Sequence, residues 1–101
     1  MGRRIVWTAE SRWWLREILD YIRQDSPETA VKVVRRIREK ARVLLDFPEL
    51  GHVYEPAREA NVRILLYGHY KIVYQPSESG EIHILGVFHG ALDLKRHLKL
   101  P

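Results

Sequence analysis

Lysine, arginine, histidine and tyrosine gather in the C-terminal third of this chain, at Arg63, Lys71, Tyr74, His83 and His89, with Lys95, Arg96 and His97 close behind. Together such groups can cleave RNA without a metal. A base takes the proton of a ribose 2′-hydroxyl, a cation stabilises the pentavalent phosphate, and an acid protonates the leaving oxygen. The pattern of the strands that carry them gives a plainer reading as well. Alternation puts Lys71 and Tyr74 on opposite faces of one strand and leaves His89 at the end of the next, so that Lys71 reads as an exposed strand residue and His89 as a satisfied hydrogen-bonding group at the sheet edge.

Other chemistries find little support. The chain has no cysteine, so thiolate metal sites, thiol nucleophiles and disulfides are excluded. The five histidines, at 52, 69, 83, 89 and 97, form no i, i+4 pair with a carboxylate pattern, and there is no phosphate loop or nucleophile elbow. Ser11, Ser26, Ser77 and Ser79 lie at helix starts or in a turn, where capping and turn chemistry account for them. No metal and no cofactor is expected.

Two further groups bear on binding. Lys32, Arg35, Arg36, Arg38, Lys40 and Arg42 form a basic run on one predicted helix, suited to phosphate contact or to a solvated face. Trp7, Trp13 and Trp14 suit core packing or a partner groove better than base stacking, because two of them flank a helical core stripe. Seventeen basic residues against thirteen acidic ones give a formal charge of +4, which favours acidic or polyanionic partners and says nothing about fold.

The elements that must position these residues fit within 101 residues as one domain, residues 1–101. The N-terminal residues lack the apolar run of a signal peptide, and no apolar run approaches the roughly 20 residues that span a bilayer, so a cytoplasmic protein is expected. A first strand from Arg4 to Trp7 leads to Thr8, a helix N-cap. From Ala9 to about Gln24, Leu15, Ile18, Leu19 and Ile22 recur at helical spacing. Ser26 and Pro27 start a second helix to about Asp46, with Ala30, Val33, Val34, Ile37, Ala41, Leu44 and Leu45 on one face.

Phe47 to His52 stops that helix, and an irregular stretch runs to about Ala60. Three strands follow, Asn61 to Leu66, Tyr70 to Gln75 and Glu81 to Phe88, joined as hairpins. The expectation is an α+β fold, with an antiparallel helical hairpin on a mainly antiparallel sheet of about four strands and a short C-terminal tail or helix. Strict alternation in the last strand sets Ile82, Ile84 and Phe88 against His83, Leu85, Val87 and His89. Both faces are then too apolar to stay bare, so the C-terminal segment or a partner must cover the one the helices leave.

The succession of Asp25-Ser26-Pro27, Phe47-Pro48-Glu49-Leu50-Gly51, Tyr70-Lys71-Ile72-Val73-Tyr74 and Val87-Phe88-His89-Gly90-Ala91-Leu92-Asp93-Leu94 is similar to the RelE/ParE superfamily of bacterial type II toxins, over nearly the whole chain. The resemblance implies a toxin neutralised by a cognate antitoxin, which lays an extended or helical segment over it. RelE-like members cut mRNA in the ribosomal A site, and ParE-like members inhibit DNA gyrase. Lys71 stands after the strand tyrosine, where RelE-like toxins commonly carry a catalytic arginine. The segment from Phe88 to Leu94 resembles the ParE pattern more closely, without the dense Lys/Arg and terminal tyrosine of the nucleases.

The ParE-like branch is therefore favoured: a binding inhibitor of gyrase that arrests growth and stabilises plasmids, with His89, Lys95 and Arg96 as leading target contacts. The alternative is a ribosome-dependent mRNA endonuclease. In it Lys71 and Arg63 stabilise phosphate, and His89 or Tyr74 handles protons. Trp13, Trp14 and Tyr21 are the expected aromatic anchors for the antitoxin. Operator DNA is expected to be reached only through the antitoxin, and a membrane not at all.

Overall fold

The structure is a computed structural model that describes residues 2–100. Strand β1 (Arg4–Trp7) runs into helix α1 (Ala9–Arg23) through Thr8, whose hydroxyl accepts the Ser11 N–H at 3.1 Å and donates to the Ile84 carbonyl at 2.6 Å. One side chain thus caps the helix and pins its start to the sheet. Helix α2 (Pro27–Ala41) begins as its residues dictate, with Ser26 accepting the Thr29 N–H and proline in the first turn. A three-residue link between two packed helices makes them an antiparallel hairpin. After Ala41 the chain tightens into a 3-10 turn, Arg42–Leu45, so the α-helix is shorter than the expected run to Asp46.

The sheet has five strands in the order β1-β5-β4-β3-β2. Strands β3 (Arg63–Tyr67), β4 (Tyr70–Pro76) and β5 (Glu81–His89) form an antiparallel meander, and β1 pairs parallel to β5. The additional strand β2 (His52–Val53) lies within the stretch expected to be irregular. It is two residues long, too short to carry a periodic pattern, and pairs with Arg63 and Ile64. A 3-10 segment, Glu55–Ala60, completes that stretch, and Leu94–His97 forms a short C-terminal helix, α3.

The sheet is buried on both faces. Leu15, Ile37, Ala41 and Leu44 of the helical layer pack on Leu65, Ile72, Tyr74, Ile82, Ile84 and Val87. On the opposite face Ile64, Val73, Leu85 and Phe88 are covered by Ala57, Val62 and Leu94, with Tyr54, Trp14, Leu92 and Leu98 around them. The C-terminal segment does cover the second face, together with the turn before β3.

Strict alternation fails in β5. Val73 pairs with Gly86 and Tyr74 with Ile84, so Leu85 is an extra residue and forms a β-bulge. Ile82, Ile84 and Val87 therefore share the helical face, while Leu85 and Phe88 share the other. The expected grouping of Phe88 with Ile82 and Ile84 is corrected, because the bulge reverses the pleat after it. A Cβ on Gly86 would lie 2.5 Å from Phe88 Cε2 and Cζ, so the phenyl ring lies back over a position that only glycine leaves open.

One side-chain ion pair ties β1 to β5, and His83 braces it from within β5. Arg4 Nε donates to Glu81 Oε2 at 2.9 Å, and His83 Nε2 lies 2.9 Å from the other carboxylate oxygen. The hydrogen bond from His83, then that from Arg4, holds the Glu81 carboxyl below its ordinary range. A lowered carboxyl favours the folded state above its unfolded pKa and loses that advantage as pH falls through the folded one.

Two outcomes follow for stability. Gly86→Ala is expected to cost about 1–3 kcal/mol in urea melts and to alter the tryptophan near-ultraviolet signal through Phe88 and Trp14, as overpacking does; an unchanged midpoint and spectrum would refute the tight approach. Glu81→Gln should be less stable than the wild type at neutral pH, with the gap closing as pH drops below about 4.5. A gap independent of pH would show that the Glu81 charge is idle.

Candidate functional site

The bulge determines what surrounds His89. Beyond Ile84 strand β5 has no strand partner on the β1 side, and α1 runs alongside it instead. Between α1 and the end of β5 lies a groove of about 480 Å³, walled by Trp14, Ile18, Tyr21, Tyr70, Val87 and Leu92. Glu17 and His89 supply its polar rim. Burial pushes the Tyr70 hydroxyl above its usual pKa, which keeps it neutral at this wall. The groove is an apolar trough with few polar groups, of a shape that takes the apolar side of a peptide segment.

The three expected antitoxin anchors sit differently. Tyr21 is 76% exposed at the groove lip and Trp13 is 53% exposed on the outer side of α1. Trp14 is half-buried: its ring packs on Phe88 at 4.7 Å, on His97 at 5.5 Å and edge-on to Trp13 at 4.9 Å between centroids. It belongs to the core and the groove at once.

The four residues that would compose a nuclease centre are divided between the two ends of the sheet. Arg63 and Tyr74 are cross-strand partners beside the Pro48–Gly51 loop. The Tyr74 side chain has 0% exposure; its hydroxyl donates to the Pro48 carbonyl and accepts the Gly51 N–H, each at 2.8 Å. Burial pushes that hydroxyl above its ordinary pKa, outweighing the Gly51 hydrogen bond and the nearby Arg63 charge. Arg63 donates to the carbonyls of Glu49 and Gly51 at 3.1 and 2.9 Å and to Asn61 Oδ1 at 3.1 Å. Both side chains are committed to the loop. Gly51 itself has no room for a Cβ, which would meet the Ile64 carbonyl oxygen and Tyr74 Cε1 at 2.7 Å.

Lys71 and His89 lie at the other end. Lys71 is opposite Phe88, three residues from Tyr74, or about 10 Å of strand. His89 is opposite Tyr70, with its ring edge-on to that phenol at 5.8 Å and stacked on His69 at 6.1 Å. Its Nδ1 accepts the Ala91 N–H at 3.2 Å, and the residue is exposed. His83 is held by Glu81 on the strand paired with β1. Among the described residues no group of three or more His, Cys, Asp or Glu side chains is placed to hold a metal ion, and no helix is long and apolar enough to cross a membrane.

The tail is positioned from inside. Asp93 caps α3 by accepting the Lys95 N–H at 3.0 Å, Leu94 is buried against the second core, and His97 rests on Trp14. Those anchors turn Lys95 and Arg96 outward, where both are exposed. Sequence reasoning missed Tyr70, Val87 and Leu92 as groove residues. Their apolar character was visible, but the bulge that turns Val87 and His89 toward α1 has no signature in an alternating pattern.

Residues 5–94 match the family model described as ParE toxin of type II toxin-antitoxin system, parDE. The Sinorhizobium fredii protein named "Putative toxin Y4kP" is 32% identical over 87 residues, covering 86% of this chain and 88% of that one. A solved chain from the chromosomal ParDE TA system of P. aeruginosa superposes with a TM-score of 0.70 at 26% identity, over 88% of this chain and 96% of that one. An α+β fold with two layers on one five-stranded sheet, and a family match from β1 to α3, lead to one assignment. The chain belongs to the ParE toxin family of type II toxin-antitoxin systems.

Proposed function

We propose that this toxin inhibits DNA gyrase by binding, in the cytoplasm, and that a cognate antitoxin neutralises it. The observation that carries this reading is the division of the nuclease candidates: Arg63 and a sealed Tyr74 hold a loop at one end of the sheet, with Lys71 and His89 at the other. Acid–base cleavage of RNA needs its groups around one phosphate. By contrast the side chains of His89, Lys95 and Arg96 are all exposed, as contacts with an acidic or nucleic-acid-bound target require.

The antitoxin is assigned to the α1–β5 groove, where Trp14 and Tyr21 offer large apolar area, with Trp13, exposed on the outer side of α1, as a further anchor beyond the groove. Inhibition of gyrase blocks replication and arrests growth, and loss of the antitoxin from plasmid-free cells would account for plasmid stabilisation.

A supercoiling assay with purified gyrase, run beside cleavage of mRNA on translating ribosomes, decides the target. Supercoiling is expected to fall with the wild-type toxin, and the His89→Ala/Lys95→Ala/Arg96→Ala variant is expected to need at least about tenfold more protein, the equivalent of about 1.4 kcal/mol. Cut mRNA with unaffected gyrase would reverse the reading. For the antitoxin, Tyr21→Ala should weaken binding by more than about 1 kcal/mol without lowering Tm, because the phenol is exposed in the free chain. Trp14→Ala should lower both. Unchanged affinity in Tyr21→Ala would place the antitoxin elsewhere.

A further inference from the structure

The excess positive charge of this chain is localised. From Pro27 to Arg42, helix α2 and its C-terminal cap, there are six basic residues, Lys32, Arg35, Arg36, Arg38, Lys40 and Arg42, against only Glu28 and Glu39, an excess of four over the segment; four of the six and both glutamates lie on its outer face. Helix α1 of the same hairpin is built on the opposite plan. Its Arg12, Arg16 and Arg23 are matched by Glu10, Glu17 and Asp20. Alternating signs are what a merely solvated helix face shows, and α2 departs from that pattern where its neighbour obeys it.

The charges on α2 are also largely free. Among the described residues their one ion pair joins Arg35 to Glu39, at 4.0 Å between exposed groups, a contact of little weight in water. Arg38 lies over the Trp7 ring at 5.0 Å, which fixes its guanidinium at the margin of the face and covers that indole. Lys32, Arg35, Arg36 and Arg42 are exposed. The buried side of the helix, Ala30, Ile37 and Ala41, faces the sheet, so the basic side chains are carried on a rigid element and not on a loop.

Helical spacing places four of the six on the outer face: Lys32 and Arg36, about 6 Å apart along the axis, with Arg35 and Arg42 on the adjoining strip and Glu28 and Glu39 between them, while Arg38 and Lys40 flank the buried side. From Lys32 to Arg42 the helix rises about 15 Å, the length over which one strand of a duplex presents about four phosphates. The exposed residues of this face, Glu28, Val31, Lys32, Arg35, Arg36, Glu39 and Arg42, include no aromatic ring. Binding of single strands relies on bases stacking on aromatic side chains, so the face suits the outside of a duplex and not an unpaired strand.

We infer that the outer face of α2 binds the phosphate backbone of double-stranded DNA without regard to sequence. The inference rests on α2 and on Arg42 at its C-terminal cap, and shares no residue with the gyrase and antitoxin assignments, which use α1, β5 and the tail. The affinity is expected to be weak and steeply dependent on salt, as for any backbone contact.

The test titrates the purified full-length chain into a fluorescein-labelled mixed-sequence duplex of about 20 base pairs from low to physiological salt. Lys32→Gln/Arg35→Gln/Arg42→Gln is compared with the charge-matched Arg16→Gln/Arg23→Gln/Lys99→Gln. Glutamine keeps helix propensity, and circular dichroism confirms the fold of each. The α2 variant is expected to lose at least tenfold in affinity at low salt and to shallow the slope of log affinity against log salt by about 2–3, near 0.9 per phosphate contact. The control should change less than about threefold. Equal losses in both variants would reduce the effect to net charge and overturn the inference. Tighter binding of a single-stranded oligonucleotide, or of poly-glutamate at equal charge, would overturn it too, by showing a surface made for another polyanion.

Discussion

Strand β5 carries one residue more than β4 between Ile84 and Gly86, and both ends of the molecule are arranged around that difference. Before the bulge the strand is held between β1 and β4, with Ile82 and Ile84 under the helices; after it Val87 and His89 turn to the α1 side and Phe88 turns away. The reversal gives Phe88 its place in the second core, and Gly86 leaves the space its ring occupies. Phe88 in turn supports Trp14, and Trp14 supports His97. The position of α3 is thus decided nine residues earlier, by the local twist that a bulge adds to a strand.

A second constraint operates at the opposite end. Buried Tyr74 has to satisfy its hydroxyl, and it does so with the Pro48 carbonyl and the Gly51 N–H, which would otherwise be unpaired against the sheet. Arg63 completes the clamp through the Glu49 and Gly51 carbonyls. A loop of Pro, Glu, Leu and Gly is in this way fixed by side chains distant in sequence. The same two residues resemble catalytic groups by type alone; their partners in space give them a structural task.

Much of the fold was legible because its signals are local. Thr8 and Ser26 cap the helices they precede, Pro27 opens α2, and the apolar stripes of both helices face the sheet. The meander of β3 to β5 follows from alternation and turn residues. What was not legible depends on pairing between distant segments. Strand β2 exists only because His52 and Val53 meet Ile64 and Arg63, and the bulge exists only in the register of β5 against β4. The site suffered most from this. His89, Lys95 and Arg96 are exposed as strand-end and tail residues should be, yet the groove beside them is assembled from Ile18, Tyr21, Tyr70, Val87 and Leu92, which no spacing connects.

The surfaces assigned to antitoxin and to target are physically continuous. His89 forms the rim of the groove and also heads the turn that leads to Lys95 and Arg96. Trp14 walls the groove while its ring bears on His97 of α3. A segment seated in the groove must touch the indole that sets the attitude of the basic tail, and must cover or border His89. Occupancy of one surface and free access to the other are therefore coupled through shared atoms, without any long-range conformational change. The outer face of α2 shares no residue with the groove or the tail. An antitoxin confined to the groove would leave that face open, so the proposed neutralisation and the inferred retention on duplex DNA would be separable.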